Sequence, residues 1–133
     1  MTHRLGLRVY YEDTDFSGVV YHANYLRFFE RGRTEALRAA GGSHAELMDT
    51  EGLAFTVTEL SIKYRRGARV DDELVVETTL AQLKGARMVF EQAVRRGDEV
   101  LATGTVTVAC MTMDGRPRRL PEGMRVLFGE TMG

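Results

Sequence analysis

Leu5, Leu7 and Val9 alternate with Gly6, Arg8 and Tyr10, the period of a strand that this pattern carries to about Tyr11. Turn-forming residues follow, Glu12-Asp13-Thr14-Asp15-Phe16-Ser17-Gly18, and from Asn24 the period changes. Tyr25, Phe28, Phe29, Gly32, Ala36 and Ala40 recur at helical spacing, with Arg27, Glu30, Arg31, Arg33, Glu35 and Arg38 over much of the remaining surface. A glycine inside a helix costs about 1 kcal/mol relative to alanine, so Gly32 implies a close approach to a neighbouring element. Gly41-Gly42 ends the helix, and Ser43 with Glu46 three residues on opens a short second one in the manner of a capping box.

The rest of the pattern is strands. Leu53 to Tyr64 is β-branched and aromatic, and its apolar parity shifts between Val57 and Leu60, which predicts a bulge or a change of buried face. Leu74 to Leu83 follows the Asp71-Asp72 turn, and Met88, Phe90, Gln92 and Val94 alternate with their neighbours as far as the Gly97-Asp98 turn. Val100, Ala102, Gly104, Val106, Val108 and Cys110 form an apolar face opposite Leu101, Thr103, Thr105 and Thr107. The predicted order is strand, long helix, then four strands joined by short turns: an α+β domain with an antiparallel sheet packed on one helix. The second sheet face and the sheet edges need cover, which points to an oligomer.

Composition narrows the class. A chain of 133 residues with 44% hydrophobic and 28% charged positions suits one globular domain, 1–133, without repeats or linkers. The net charge of −1 provides no basic field for nucleic acid, so Tyr64-Arg65-Arg66 carries little weight as an RNA site. One cysteine, Cys110, in an apolar run reads as an inert buried thiol, and His3, His22 and His44 are too scattered for zinc. No apolar stretch matches a signal peptide or membrane span, so the expected location is cytoplasmic. P-loop, GxGxxG and GxSxG patterns are absent.

The densest cluster of polar and aromatic residues runs from Tyr10 to Tyr25, between the first strand and the helix. A helix start offers free N–H groups to an oxyanion or polarised carbonyl, and Asp15 and His22 on the entering loop bring a base or nucleophile and a donor. Aspartate in such a turn is also a common turn-stabilising residue, and histidine at a helix start a common structural donor. The basic turns Lys63-Tyr64-Arg65-Arg66-Gly67-Ala68-Arg69 and Lys84-Gly85-Ala86-Arg87 are candidates for phosphate or simply solvated charge.

The run Asp13-Thr14-Asp15-Phe16-Ser17-Gly18-Val19-Val20-Tyr21-His22-Ala23-Asn24-Tyr25, continued through Leu26 to Glu35, closely resembles the signature of hotdog-fold acyl-CoA thioesterases. Within them it is most similar to the Tol-Pal-associated branch of the 4-hydroxybenzoyl-CoA thioesterase-like family. The resemblance implies a long helix wrapped by a curved antiparallel sheet of about five strands. It also implies homodimers with a continuous sheet, homotetramers of these, and active sites at the dimer interface. It makes Asp15 the catalytic carboxylate and places the oxyanion site at the backbone N–H of His22, where a sister branch has tyrosine. Gly18 and Tyr21 fall within the substrate-binding loop, and Lys84, Gly85 and Arg87 at the coenzyme A phosphates, with Arg65 and Arg66 as the other candidates. Glu30 reads as a helix-face ion-pair residue. The implied reaction is hydrolysis of an acyl-CoA to acid and free coenzyme A, with no metal or added cofactor, since coenzyme A is part of the substrate. Phe16, Tyr25, Phe29, Phe55 and Val57 are the candidate acyl-pocket residues. The alternative is a non-catalytic acyl-CoA-binding or scaffold protein with partners in envelope or lipid metabolism.

Overall fold

In the computed structural model, which describes residues 2–132, five antiparallel strands form one curved sheet in the order β1-β3-β4-β5-β2. The strands are β1 (Thr2–Arg8), β2 (Leu53–Tyr64), β3 (Glu73–Lys84), β4 (Arg87–Arg96) and β5 (Glu99–Thr112). Helix α1 (Asn24–Ala39) lies against the sheet, a short α2 (His44–Glu46) runs on as a π-helical turn over Leu47–Glu51, and α3 (Glu122–Met132) closes the chain.

The apolar stripe of α1 is the buried one. Tyr25, Phe28, Phe29, Gly32, Ala36 and Leu37 face inward and meet Val76, Phe90, Val94 and Val106 of the sheet in one continuous core. Burying an aromatic side chain of this kind contributes about 1.5–3 kcal/mol, so the two phenylalanines at the helix centre weigh heavily in its anchoring. Gly32 has the packing reason its position implies: a Cβ there would lie 2.7 Å from Thr78 Oγ1 and 2.8 Å from Val76 Cγ1. Gly32→Val should therefore cost about 1–3 kcal/mol by overpacking, read as a lowered Tm in thermal denaturation; an unchanged Tm would show that the helix can ride off the sheet freely.

Gly41 takes φ +96° beyond the helix, and the Ser43 hydroxyl accepts the Glu46 N–H at 3.1 Å, the first half of a capping box. The bulge in β2 falls between Val57 and Glu59, where the parity shift in the sequence places it.

Two expectations need correction, and one element was not foreseen. β1 stops at Arg8 rather than near Tyr11, because the Asp13 carboxylate takes the Tyr10 N–H at 2.8 Å and bends the backbone into a 3₁₀ turn over Tyr11–Asp13. Leu101, assigned to the outer face of β5, is fully buried, because the β4–β5 register slips where Val94 pairs with Ala102 and Arg95 with Val100. The tail after Pro117, for which the sequence pattern assigned no element, forms α3, whose Phe128 packs on Phe90 at 5.9 Å between ring centroids.

Candidate active site

The loop between β1 and α1 is fastened by a residue whose role the sequence left unassigned. Asp13, only 6% exposed, accepts the Tyr10 N–H through one carboxylate oxygen and the Asn24 side-chain amide at 2.9 Å through the other. Its carbonyl takes the Tyr21 N–H at 2.9 Å, so a single residue ties the strand end, the loop and the first residue of α1 together. Buried donors without acceptors are costly, which is why a carboxylate holds this position.

Above this clip, Asp15 to Gly18 form a tight turn closed by Gly18 N–H to Asp15 carbonyl at 3.1 Å, with Gly18 at φ +86°. Glycine reaches that backbone region without Cβ strain. Asp15 Oδ1 accepts the Ser17 N–H at 2.8 Å and the Ser17 hydroxyl, and the other oxygen has no partner among the described residues. These bonds from Ser17, side chain first, hold the Asp15 carboxyl below the usual carboxylate range; slight desolvation opposes them and nearby His22 assists. Asp15 is thus an ionised carboxylate at neutral pH with one oxygen free.

Helix α1 opens without a side-chain cap, since its N-cap residue is Ala23. The amides of His22 and Ala23 donate to no protein acceptor among the described residues. The helix start therefore presents open N–H groups and the positive end of its dipole beside the loop. Asp15, Tyr21, Ala23 and Arg27 line one shallow cleft, while the exposed His22 lines a second with Tyr25, Tyr64, Arg65 and Arg66. The His22 carbonyl accepts the Tyr64 hydroxyl at 2.7 Å.

The basic candidates separate. Arg65 and Arg66 stand at this end of the sheet, Arg66 paired with Glu99 at 3.1 Å. Lys84, Gly85 and Arg87 form the β3–β4 turn, whereas the site loop leaves β1 beside Glu73 at the other end of β3. The intervening eleven steps of strand amount to on the order of 35 Å, so one protomer does not bring this turn to Asp15. There, Arg87 bonds Gln82 and the Gly85 carbonyl accepts Arg125 of α3.

Farther along α1, a cleft lies among α1, β2 and α3, lined by Arg33, Thr34, His44, Phe55, Val57 and Phe128 among others. Burial pushes both the Arg33 guanidinium and the His44 imidazole down from their ordinary values, and Arg33 donates to Gln92 Oε1 at 3.0 Å. An apolar cleft with a few convergent polar groups is the usual form of a small-molecule site. Of the acyl-pocket candidates, Phe55 and Val57 line this cleft, Tyr25 and Phe29 belong to the core, and Phe16 is fully exposed. Glu30 makes no ion pair within 4.0 Å among the described residues; the helix-face pair is Glu35–Arg38. Asp13, Arg33 and Phe128 are site neighbours to which sequence reasoning gave no role, and Tyr64 entered it only as part of the basic run from Lys63 to Arg69. Only Phe128 had a usable signal, its i, i+4, i+8 spacing with Leu120 and Met124.

A curved antiparallel sheet of five strands around one long helix is the hotdog fold of thioesterases. The model of the thioesterase superfamily matches residues 17–103, and the chain belongs to that family. It is 46% identical to the acyl-CoA thioesterase YbgC of Haemophilus influenzae over 92% of this chain and 90% of that protein. It is 41% identical to the acyl-CoA thioester hydrolase YbgC of Escherichia coli over 94% of each chain. The crystal structure of a probable thioesterase from Bartonella henselae, 45% identical, superimposes with a TM-score of 0.88 over 91% of this chain and all of that one. A 1,4-dihydroxy-2-naphthoyl-CoA thioesterase from Synechocystis, 21% identical, shares the fold at a TM-score of 0.89 over 98% of this chain and 97% of that one. The resemblance carried by residues 13–35 is borne out, and the protein is an acyl-CoA thioester hydrolase. Among the described residues no helix is long and apolar enough to cross a membrane.

Proposed function

We propose that Asp15 is the catalytic carboxylate and that the open amides at the start of α1, His22 foremost, receive the oxyanion. The supporting observation is the ionised, half-free Asp15 carboxylate on the loop that enters an uncapped helix. Asp15 attacks the thioester carbonyl directly, or takes a proton from a water that does. In either case negative charge collects on the carbonyl oxygen and meets backbone N–H groups. Collapse breaks the C–S bond; the coenzyme A thiolate leaves and takes a proton, and water supplies the oxygen of the product acid.

The acyl group lies along α1 toward Phe55, Val57 and Phe128. Successive clefts from Asp15 to that point share Arg27, then Glu30, then Arg33. Arg65 and Arg66 meet the coenzyme A phosphates within the protomer, and Lys84, Gly85 and Arg87 do so only from a second copy. Such a copy adds through the open edge of β2, giving a homodimer and, from two of these, a homotetramer. The setting is cytoplasmic.

Release of free thiol from short-chain, long-chain and aromatic acyl-CoAs tests the substrate reading. Turnover of chains long enough to reach Phe55 and Val57, exceeding that of acetyl-CoA, is the expected result. Equal rates across all chain lengths would remove the cleft from the acyl path. Binding of every acyl-CoA without thiol release would leave only the acyl-CoA-binding alternative.

A further inference from the structure

Tyr64, the last residue of β2, donates its phenolic hydrogen to the His22 carbonyl at 2.7 Å. Its ring stands edge-on to the His22 imidazole at 6.3 Å and to the Tyr25 ring at 5.5 Å. The carbonyl it engages is one the helix leaves over: the Leu26 N–H, four residues on, turns to Ala23 instead at 3.1 Å. The His22 carbonyl and the Ala23 N–H belong to one peptide group. Ala23 lines the cleft that holds Asp15, and its N–H has no protein acceptor among the described residues. A hydrogen bond accepted at an amide oxygen polarises the whole group and strengthens its N–H as a donor.

The surrounding contacts hold this peptide from the same side. Tyr25 Oη accepts the Ala68 N–H at 3.0 Å, and the Ala68 carbonyl accepts the Val20 N–H at 2.8 Å. The segment following β2 is thereby sewn to the loop before α1, and Tyr64 is the only one of these ties that ends at the His22–Ala23 peptide. Tyr21 and His22 on the loop, Tyr25 on α1, and Arg65 and Arg66 in the following segment are the titratable or charged groups around its phenol.

We propose that Tyr64 is a positioning residue for thioester hydrolysis: its phenol fixes and polarises the His22–Ala23 peptide, making the Ala23 amide a second oxyanion donor beside that of His22. This deepens the reading of Asp15 and the helix start as the active site and rests on it. The role is transmitted through the backbone, and Tyr64 itself does not touch the reacting atoms.

Tyr64→Phe removes the donor and keeps the ring. The expected result is a kcat lowered about tenfold with KM changed by less than about twofold, as for loss of one hydrogen bond that matters chiefly in the transition state. Replacement of Tyr64 by 3,5-difluorotyrosine keeps the packing and makes the phenol more acidic. Because a phenolate cannot donate, the alkaline limb of the kcat–pH profile should move to lower pH, a change that a purely structural ring would not produce. Tyr64→Phe with a kcat within about twofold of wild type, or a fluorinated protein with an unmoved alkaline limb, overturns the proposal. Asp15→Asn measured alongside separates the failures. Full activity in that variant removes the underlying site, whereas an inactive Asp15→Asn with a fully active Tyr64→Phe removes only the role of Tyr64.

Discussion

Asp15→Asn should lower kcat for acyl-CoA hydrolysis by roughly 10²–10⁴-fold, the range associated with loss of a positioned acid–base group. The asparagine side chain still accepts the Ser17 N–H and keeps the turn, so the Tm should stay close to that of the wild type. What is lost is charge and basicity, at an oxygen that already has no other partner. The pH dependence follows from the direction of the Asp15 shift. With the folded carboxyl held below the usual carboxylate range by its bonds from Ser17, the ionised form is present throughout the neutral range and is lost only as pH falls through that lowered value. An acidic limb attributable to Asp15 should therefore lie below the usual carboxylate range, and a limb near neutrality belongs to another group. Near-wild-type turnover of Asp15→Asn, measured as free thiol, would sink the assignment.

Asp13→Ala should produce the largest loss of stability in the site. It strips the acceptors from the part-buried Tyr10 N–H and the buried Asn24 side-chain amide. Each orphaned donor costs about 1–3 kcal/mol, so the pair should lower the Tm by roughly 10 °C for a chain of this size. Activity should fall as well, because the same residue sets the entry of the loop into α1. Asp13→Asn, which retains an acceptor and offers its own donor to water or to a neighbour, should fall between the two. A Tm for Asp13→Ala within about 2 °C of wild type would mean that these donors find water on relaxation.

Most of the framework was legible in the chain because its signals are periodic and local. The stripe Tyr25, Phe28, Phe29, Gly32, Ala36 allows only one face of α1 to be buried, and the break in parity after Val57 marks a bulge whatever the partner strand. The misplacements share a cause in long-range pairing. Leu101 changes face because of a register slip against β4, and β1 ends early because a side chain five residues beyond its last residue captures the Tyr10 N–H. The site followed the same division. Asp15, Gly18 and His22 stand out on a compact loop motif, and Gly18 does take the left-handed turn that only glycine adopts easily. Asp13 and Tyr64 act through partners 11 and 42 residues away, and nothing in their local spacing announces those bonds. α3 was passed over because three apolar residues at helical spacing compete with a tail rich in proline and arginine.

The two unpaired margins of the sheet differ in a way that bears on polymerisation. β1 exposes seven residues and β2 twelve, the latter kinked at its bulge and flanked there by Glu59. A margin that docks on an identical margin uses itself up, and growth stops at two copies. If β2 docked on β1 instead, every added copy would expose a fresh acceptor, and the product would be a filament of unlimited length. The mismatch in length and the kink make that head-to-tail joint the poorer fit. On those grounds the irregularity at Val57–Glu59 disfavours a head-to-tail joint between β2 of one copy and β1 of another.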